Sequence, residues 1–155
     1  MKKIETLSLY VFMLLIAGCL AWSCSDDDDP DEIVISKQDL PEKARLFIDT
    51  HFPDLVIQKI DKETEVAGSE YDVKFRDGTE VEFDSKGEWT DVKAAGGEAV
   101  PDAIVPTQIK EYVEKTFAGT RIKEISRSLL GWEIELSNDV DVNFDADFNV
   151  VRVDV

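Results

Sequence analysis

The sequence predicts an α+β fold: two tandem repeats, each one helix packed on a four-stranded antiparallel sheet. Three observations lead there. A stripe of apolar residues at helical spacing precedes a run of alternating strands. The same order of elements occurs twice. The two copies also align residue by residue. "LPEKARLFIDTHFPDLVIQKI" (40–60) lies over "VPTQIKEYVEKTFAGTRIKEI" (105–125), matching Pro41 with Pro106, Phe47 with Tyr112, Phe52 with Phe117 and Ile60 with Ile125. "YDVKFRDGTEVEFDSKGEWTDV" (71–92) lies over "WEIELSNDVDVNFDADFNVVRV" (132–153), matching Tyr71 with Trp132, Phe83 with Phe144, Asp84 with Asp145 and Val92 with Val153.

Each repeat opens with a helix. Pro41 and Pro106 suit the first helical position, where a missing N–H costs nothing. Ala44, Phe47, Ile48, His51 and Phe52 recur on one helical face, as do Ile109, Tyr112, Val113, Thr116 and Phe117. Pro53 stops the first helix and Gly119 the second. Residues 55–64 and 120–127 read as first strands, with a bulge near Lys59 where alternation breaks. Tyr71, Val73 and Phe75 then alternate with Asp72, Lys74 and Arg76. Asp77-Gly78 predicts a tight type I′ hairpin. Thr79, Val81 and Phe83 alternate with Glu80, Glu82 and Asp84, and Gly87 marks a turn before a strand over 89–93. In the second repeat, Trp132, Ile134 and Leu136, then Val140, Val142 and Phe144, repeat this alternation. One face of each sheet packs on its helix and the other meets water.

The N-terminal stretch belongs to a different kind of sequence. Met1-Lys2-Lys3 precedes an apolar run from Leu7 to Leu20, too short for a comfortable membrane span of about 20 residues. A basic start, a short apolar core and small residues at its end read as a signal peptide over 1–24. Ile16-Ala17-Gly18-Cys19 resembles the bacterial lipobox. Cys24 is followed by Ser25-Asp26-Asp27-Asp28-Asp29, which resembles the lipoprotein surface-export signal of Bacteroidetes. Cleavage therefore precedes Cys19 or Cys24, and the freed cysteine takes the lipid. A run of like charges repels itself and stays solvated, so 25–37 reads as an acidic disordered linker. The repeats follow at 38–96 and 97–155. The protein is expected in the cell envelope, exported and held on the outer membrane, on its periplasmic or cell-surface side.

Net charge is −17 over the 155 residues. Residues 36–155 hold 15 basic and 27 acidic residues, so the acidity is not confined to the linker. Nucleic acid is a poor partner for such a surface. A basic envelope protein or a cationic ligand is a good one. The expected open sheet face carries Asp72, Glu80, Glu82 and Asp84 in the first repeat, and Glu133, Glu135 and Asp141 in the second. Acids facing acids across a sheet are destabilising, which fits a face kept for a cationic partner as well as one kept for solubility. Trp89 is in phase with Asp91 and Lys93. It is either an exposed interface anchor on that face or is turned inward by a bulge.

The tandem helix-plus-four-strand unit with Phe83-Asp84-x-x-Gly87-x-Trp89 resembles the PepSY-like proteins of Bacteroidetes, whose fold is similar to that of the β-lactamase inhibitory protein. The resemblance spans about residues 38–155. It departs in the second repeat, where Phe144-Asp145-Ala146-Asp147-Phe148-Asn149-Val150 lacks the glycine and the tryptophan. It implies an envelope protein that binds, inhibits or regulates a protein partner and does no chemistry.

The residue inventory agrees with a non-enzyme. His51 is the only histidine and lies on the apolar helix face. A small enzyme built on it is the weaker alternative. No cofactor is implied. Asp145, Asp147 and Asn149 match the first three ligand positions of an EF-hand loop, but Val150 stands where that loop needs glycine. An irregular calcium site on this turn, in a calcium-responsive periplasmic protein, is the other alternative. A solvated hairpin turn is the plain one.

Overall fold

The structure, a computed structural model, describes residues 32–65 and 68–155. The expected signal segment, both cysteines and the linker before Glu32 lie outside the described residues. The elements run β1 (Glu32–Val34), α1 (Glu42–His51), β2 (Ile57–Glu65), β3 (Gly68–Phe75), β4 (Glu80–Phe83) and β5 (Trp89–Lys93). Then come α2 (Thr107–Thr116), β6 (Ile122–Ser128), β7 (Gly131–Leu136), β8 (Asp141–Asp145) and β9 (Val150–Asp154).

The helices form where the 3.6-residue stripe places them. Pro41 and Pro106 each stand one residue before the first helical residue, with extended backbone, rather than inside it. α1 buries Ala44 and Ile48, and α2 buries Ile109 and Val113. Phe52 N–H closes α1 on the Ile48 carbonyl at 2.9 Å, and Phe117 N–H closes α2 on Val113 at 2.8 Å. Phe47 meets Phe83 edge-on at 5.7 Å, and Tyr112 meets Phe144 edge-on at 5.4 Å.

The strands depart from the expected two four-stranded sheets. Among the described residues they make one nine-stranded antiparallel sheet in the order β1 to β9. The halves join along β5–β6, where Asp91 faces Ser126, Val92 faces Ile125 and Lys93 faces Glu124. Two separate sheets would leave both of these strands with unpaired backbone. The seam also carries the core through. Ile60, Val73, Val81, Val92, Ile125, Ile134, Val142 and Val153 face one another in turn from β2 to β9. All but Val153 are buried. A fully buried Val or Ile side chain contributes about 1.5–3 kcal/mol, so this row and the two helices over it dominate the core.

Three local expectations change. β1 pairs Ile33 with Lys62 and Val34 with Asp61, so the linker ends before residue 37. Ile33 and Val34 interrupt the acids, and the edge of β2 offers them backbone partners. At Asp77-Gly78 only Gly78 has positive φ (96°). Phe75 N–H bonds the Thr79 carbonyl and Gly78 N–H bonds Phe75, which closes a three-residue loop rather than a type I′ turn. The bulge near Lys59 is present, and a matching one lies between Ile122 and Glu124.

Candidate binding face

The other side of the same strands carries two rows of charge. In the first, Asp61, Asp72, Glu82 and Asp91 face one another across β2–β5. Ser126, Glu133, Asn143 and Arg152 continue it to β9. The second row runs Lys59, Lys74, Glu80, Lys93, Glu124, Glu135, Asp141 and Asp154. Directly opposed side chains sit about 5 Å apart at Cβ, so four acids in line repel strongly.

Lysines in the second row soften this. Lys59 meets Asp61 at 2.8 Å, Lys74 meets Asp72 at 2.9 Å, and Lys93 meets Glu124 at 2.7 Å. Lys123 bridges Glu135 and Asp139, both at 2.8 Å. The compensation is incomplete. Asp72 Oδ1 is buried and accepts no hydrogen bond among the described residues. Burial, with Glu124 and Glu82 beside it, pushes the Asp91 carboxyl up to about 8. Glu82 is raised by burial and then by Asp72, Glu70, Glu124 and Glu80. Glu133 and Asp141 are raised for the same reasons, with Asp141 acting on Glu133 and Glu135 acting on Asp141. Asp91 therefore holds near neutral pH a proton that an isolated aspartate would have lost.

Asp72, Glu80, Glu82, Glu133, Glu135 and Asp141 share this face. Asp84 and Trp89 do not belong to it. The Asp84 carboxylate turns back to accept the Lys86 and Glu88 N–H groups at 2.9 Å each, which locks the β4–β5 turn. A register shift between Glu82 and Phe83 sets Trp89 opposite Phe83, on the helix side. There Trp89 stacks on Phe47 at 6.0 Å, lies under the Arg127 guanidinium at 4.4 Å and touches Trp132 at 5.9 Å. Arg127 Nε also donates to the Trp89 carbonyl at 2.6 Å. Trp89 is a core-side residue, and the bulge is the cause. His51 rests half-buried with its ring 4.6 Å from that of Phe47.

The Asp145 turn repeats the Asp84 device. Asp145 Oδ1 accepts the Asp147 N–H at 2.9 Å and the Asn149 N–H at 2.8 Å. The Asn149 side-chain amide donates to the same carboxylate at 3.0 Å. These bonds hold the Asp145 carboxyl below the usual range. The expected ligand set Asp145, Asp147 and Asn149 thus spends its main carboxylate on the turn itself. Among the described residues, no group of three His, Cys, Asp or Glu side chains is spaced to hold a metal ion.

Sequence reasoning passed over Asp61 and Glu124. Each lies within two residues of a bulge that breaks the alternation from which facing is read. Alignment of Ile60 on Ile125 could have found them, since both lie one residue from this buried pair.

Comparison with known proteins decides the family. The family model described as "Putative beta-lactamase-inhibitor-like, PepSY-like" matches residues 69–152. The chain belongs to the PepSY-like family. A solved "putative periplasmic protein" of Bacteroides vulgatus is 38% identical, with a TM-score of 0.78 over 84% of this chain and 100% of its own. A "putative calcium-regulated periplasmic protein" of Bacteroides thetaiotaomicron is 32% identical, with a TM-score of 0.78 over 81% of this chain and 98% of its own. A second Bacteroides vulgatus protein, a "putative periplasmic protein of unknown function", is 31% identical, with a TM-score of 0.75 over 80% and 99%. No curated protein matches the chain.

Proposed function

We propose that this PepSY-like protein is an exported, lipid-anchored envelope protein that binds a basic segment of another envelope protein on its open sheet face, and inhibits or regulates it without catalysis. One observation carries the reading: acidic side chains line the open face from β3 to β8, with Asp72, Glu82 and Asp91 facing one another across adjacent strands and Asp61, beyond them, buried. Such a row weakens the isolated sheet and strengthens a complex with a cationic partner. The periplasmic description of its relatives supports export. The sequence at Cys19 and Cys24 supports the anchor.

Partner capture from the parent envelope tests the face. Wild-type protein is expected to retain a basic protein that is released as salt rises, because salt screens beyond about 8 Å at physiological strength. Glu82→Lys with Glu133→Lys is expected to lose it. Equal capture by both proteins overturns the reading. Mass spectrometry of the mature N-terminal peptide tests the anchor, and an unmodified start overturns that part.

A second reading, calcium response, is favoured by the description of the Bacteroides thetaiotaomicron relative. In this chain a cation at the Asp145 turn would compete with the hydrogen bonds that hold it. Calorimetry with calcium separates the readings: heat that survives at physiological salt and is lost in Asp145→Asn supports calcium.

A further inference from the structure

One hairpin tip breaks the pattern of the others. Asp77, Lys86, Asp139 and Asp147 sit on the tips of β3–β4, β4–β5, β7–β8 and β8–β9. The β6–β7 tip carries Leu129 and Leu130 instead, 100% and 72% exposed. Turns favour Gly, Asn, Asp, Ser and Pro, which supply an unusual φ or a local hydrogen bond, and leucine supplies neither. Neither leucine packs on the core, so folding gives no reason for the pair. The tip itself is firmly held. Ser128 faces Gly131, and Leu130 N–H donates to Ser128 Oγ at 3.1 Å. A Cβ on Gly131 would come within 2.0 Å of the Phe144 carbonyl oxygen, so the hairpin lies close against β8.

This tip lies at the end of the sheet where the chain enters. β1 begins at Glu32, which faces Glu63 near the end of β2. In the antiparallel order β2, β4, β6 and β8 run the same way, so Ser128 at the end of β6 shares that end. Twist fans strand ends apart in a large sheet, but contacts gather these. A Cβ on Gly68 would lie 3.0 Å from Ser85 Cβ, and Arg127 donates to Glu88 Oε2 at 3.4 Å. Arg127 faces Trp132 two steps below the leucines, and Trp132 is half-buried. Arginine and tryptophan suit the boundary between lipid and water, each having an apolar body and a polar end. Glu32 follows Cys24 by only eight residues and Cys19 by thirteen. Such stretches reach at most about 28 Å and about 45 Å.

We infer that Leu129 and Leu130 insert into the bilayer that carries the lipid anchor and give the domain a second membrane contact. The inference rests on the anchor proposed above. A short tether keeps the tip at high effective concentration beside the lipid, so two leucines suffice where a free domain would need a larger apolar surface. The entry at β1 and the tip at β6 are five strands apart, about 24 Å. Two contacts so separated fix an orientation, whereas a tether alone leaves the domain free to turn. The contact is apolar and not electrostatic, because a net charge of −17 opposes approach to anionic headgroups. With this end on the membrane the sheet stands upright. Its acidic face then looks along the membrane, towards a partner in the same layer, instead of lying against the lipid.

The test uses residues 25–155, which contain no cysteine and retain every buried apolar side chain among the described residues, from Leu40 to Phe144. An N-terminal hexahistidine tag holds the protein on phosphatidylcholine–phosphatidylethanolamine vesicles doped with a nickel-chelating lipid. The tether is then present whether or not a cysteine is acylated in the cell, so this experiment and mass spectrometry of the mature N-terminus fail independently. An environment-sensitive fluorophore is attached through Leu130→Cys at the tip, or through Asn138→Cys, exposed at the opposite end of the sheet. On vesicles the label at position 130 is expected to shift to the blue and to be quenched by iodide about tenfold less than in solution, the population ratio that burial of one leucine supplies. The label at position 138 is expected to be unchanged. Adding Leu129→Asp is expected to return the label at 130 to its solution behaviour, with the circular dichroism of the parent. If Leu130→Cys fails to fold, Leu129→Cys takes its place and Leu130→Asp becomes the added change. A tip label that stays as accessible as the one at 138 overturns the inference and leaves the leucines to a protein partner. Protection that survives the added aspartate overturns it too.

Discussion

Two rows of residues lie one position apart on the same strands and behave in opposite ways. Ile60, Val73, Val81, Val92, Ile125, Ile134 and Val142 gain by facing one another under the helices. Asp61, Asp72, Glu82 and Asp91 lose by it. The first row spans the seam between the halves without a polar break, while the second meets Ser126 there. The contrast teaches that stability is supplied from one side of this sheet only. The opposite side is free to be shaped by what it meets.

The comparison can be broken at either row. Ile134→Ala empties a fully buried position and is expected to cost about 4 kcal/mol. Urea denaturation measures it, and a loss under about 1 kcal/mol would mean that the apolar row does not hold the fold. Trp89→Ala is expected to cost about 3 kcal/mol, because the ring packs against Phe47 and Trp132. An unchanged melting temperature would return Trp89 to the open face.

Asp91→Asn acts on the charged row, with the opposite sign. The native state holds the Asp91 proton up to about 8, far above the unfolded value of 3.8. The folded form thus binds more protons between those limits, and stability falls as pH rises through that window. Removing the titration is expected to flatten the fall and to raise stability near pH 8 by about 2 kcal/mol, well under the full linkage value because water reaches the face. Melting temperatures at pH 5 and pH 8 check it, and a variant with the parental slope would remove Asp91 as its source. Glu82→Lys is the mildest change. It sets a cation among acids and is expected to raise stability by no more than about 0.5 kcal/mol, while association with a basic partner slows. A clear destabilisation in the same melts would show that Glu82 serves the fold.

Much of this was legible in the sequence, and the exceptions have physical causes. The helices follow from the spacing of Ala44, Phe47 and Ile48 and of Ile109, Tyr112 and Val113, because a 3.6-residue period admits few alternatives. The charged face follows from strict alternation in β3, β4 and β7. Local periodicity says nothing of which strand lies beside which, so the β5–β6 seam was hidden. A bulge shifts phase by one residue, so the sequence pattern admits two placements for Trp89 and conceals Asp61. The glycine pattern misled in another way. Gly87 (φ 76°) and Phe148 (φ 64°) hold the same place in matching turns. A Cβ on Gly87 would come within 2.7 Å of Pro41 Cβ, so the first turn needs glycine beneath α1. In the second turn the Phe148 ring stacks on Trp132 at 5.7 Å, and that contact offsets the strained backbone. The motif departs in sequence while the turn is kept.

The seam has a consequence for how the chain finds its structure. β2 and β3 share eight facing positions, whereas β5 and β6 share three. Within each half, β2 to β5 and β6 to β9 each pair with a strand next to them in the chain, so little loop entropy opposes their assembly. Joining the halves must wait for the long excursion from Ala94 through α2 to Arg121. Two quickly formed halves that close last along a narrow seam make that seam the first place to reopen. Amide hydrogens at Val92 and Ile125 then exchange before those at Val73 and Ile134, although all four side chains are equally buried.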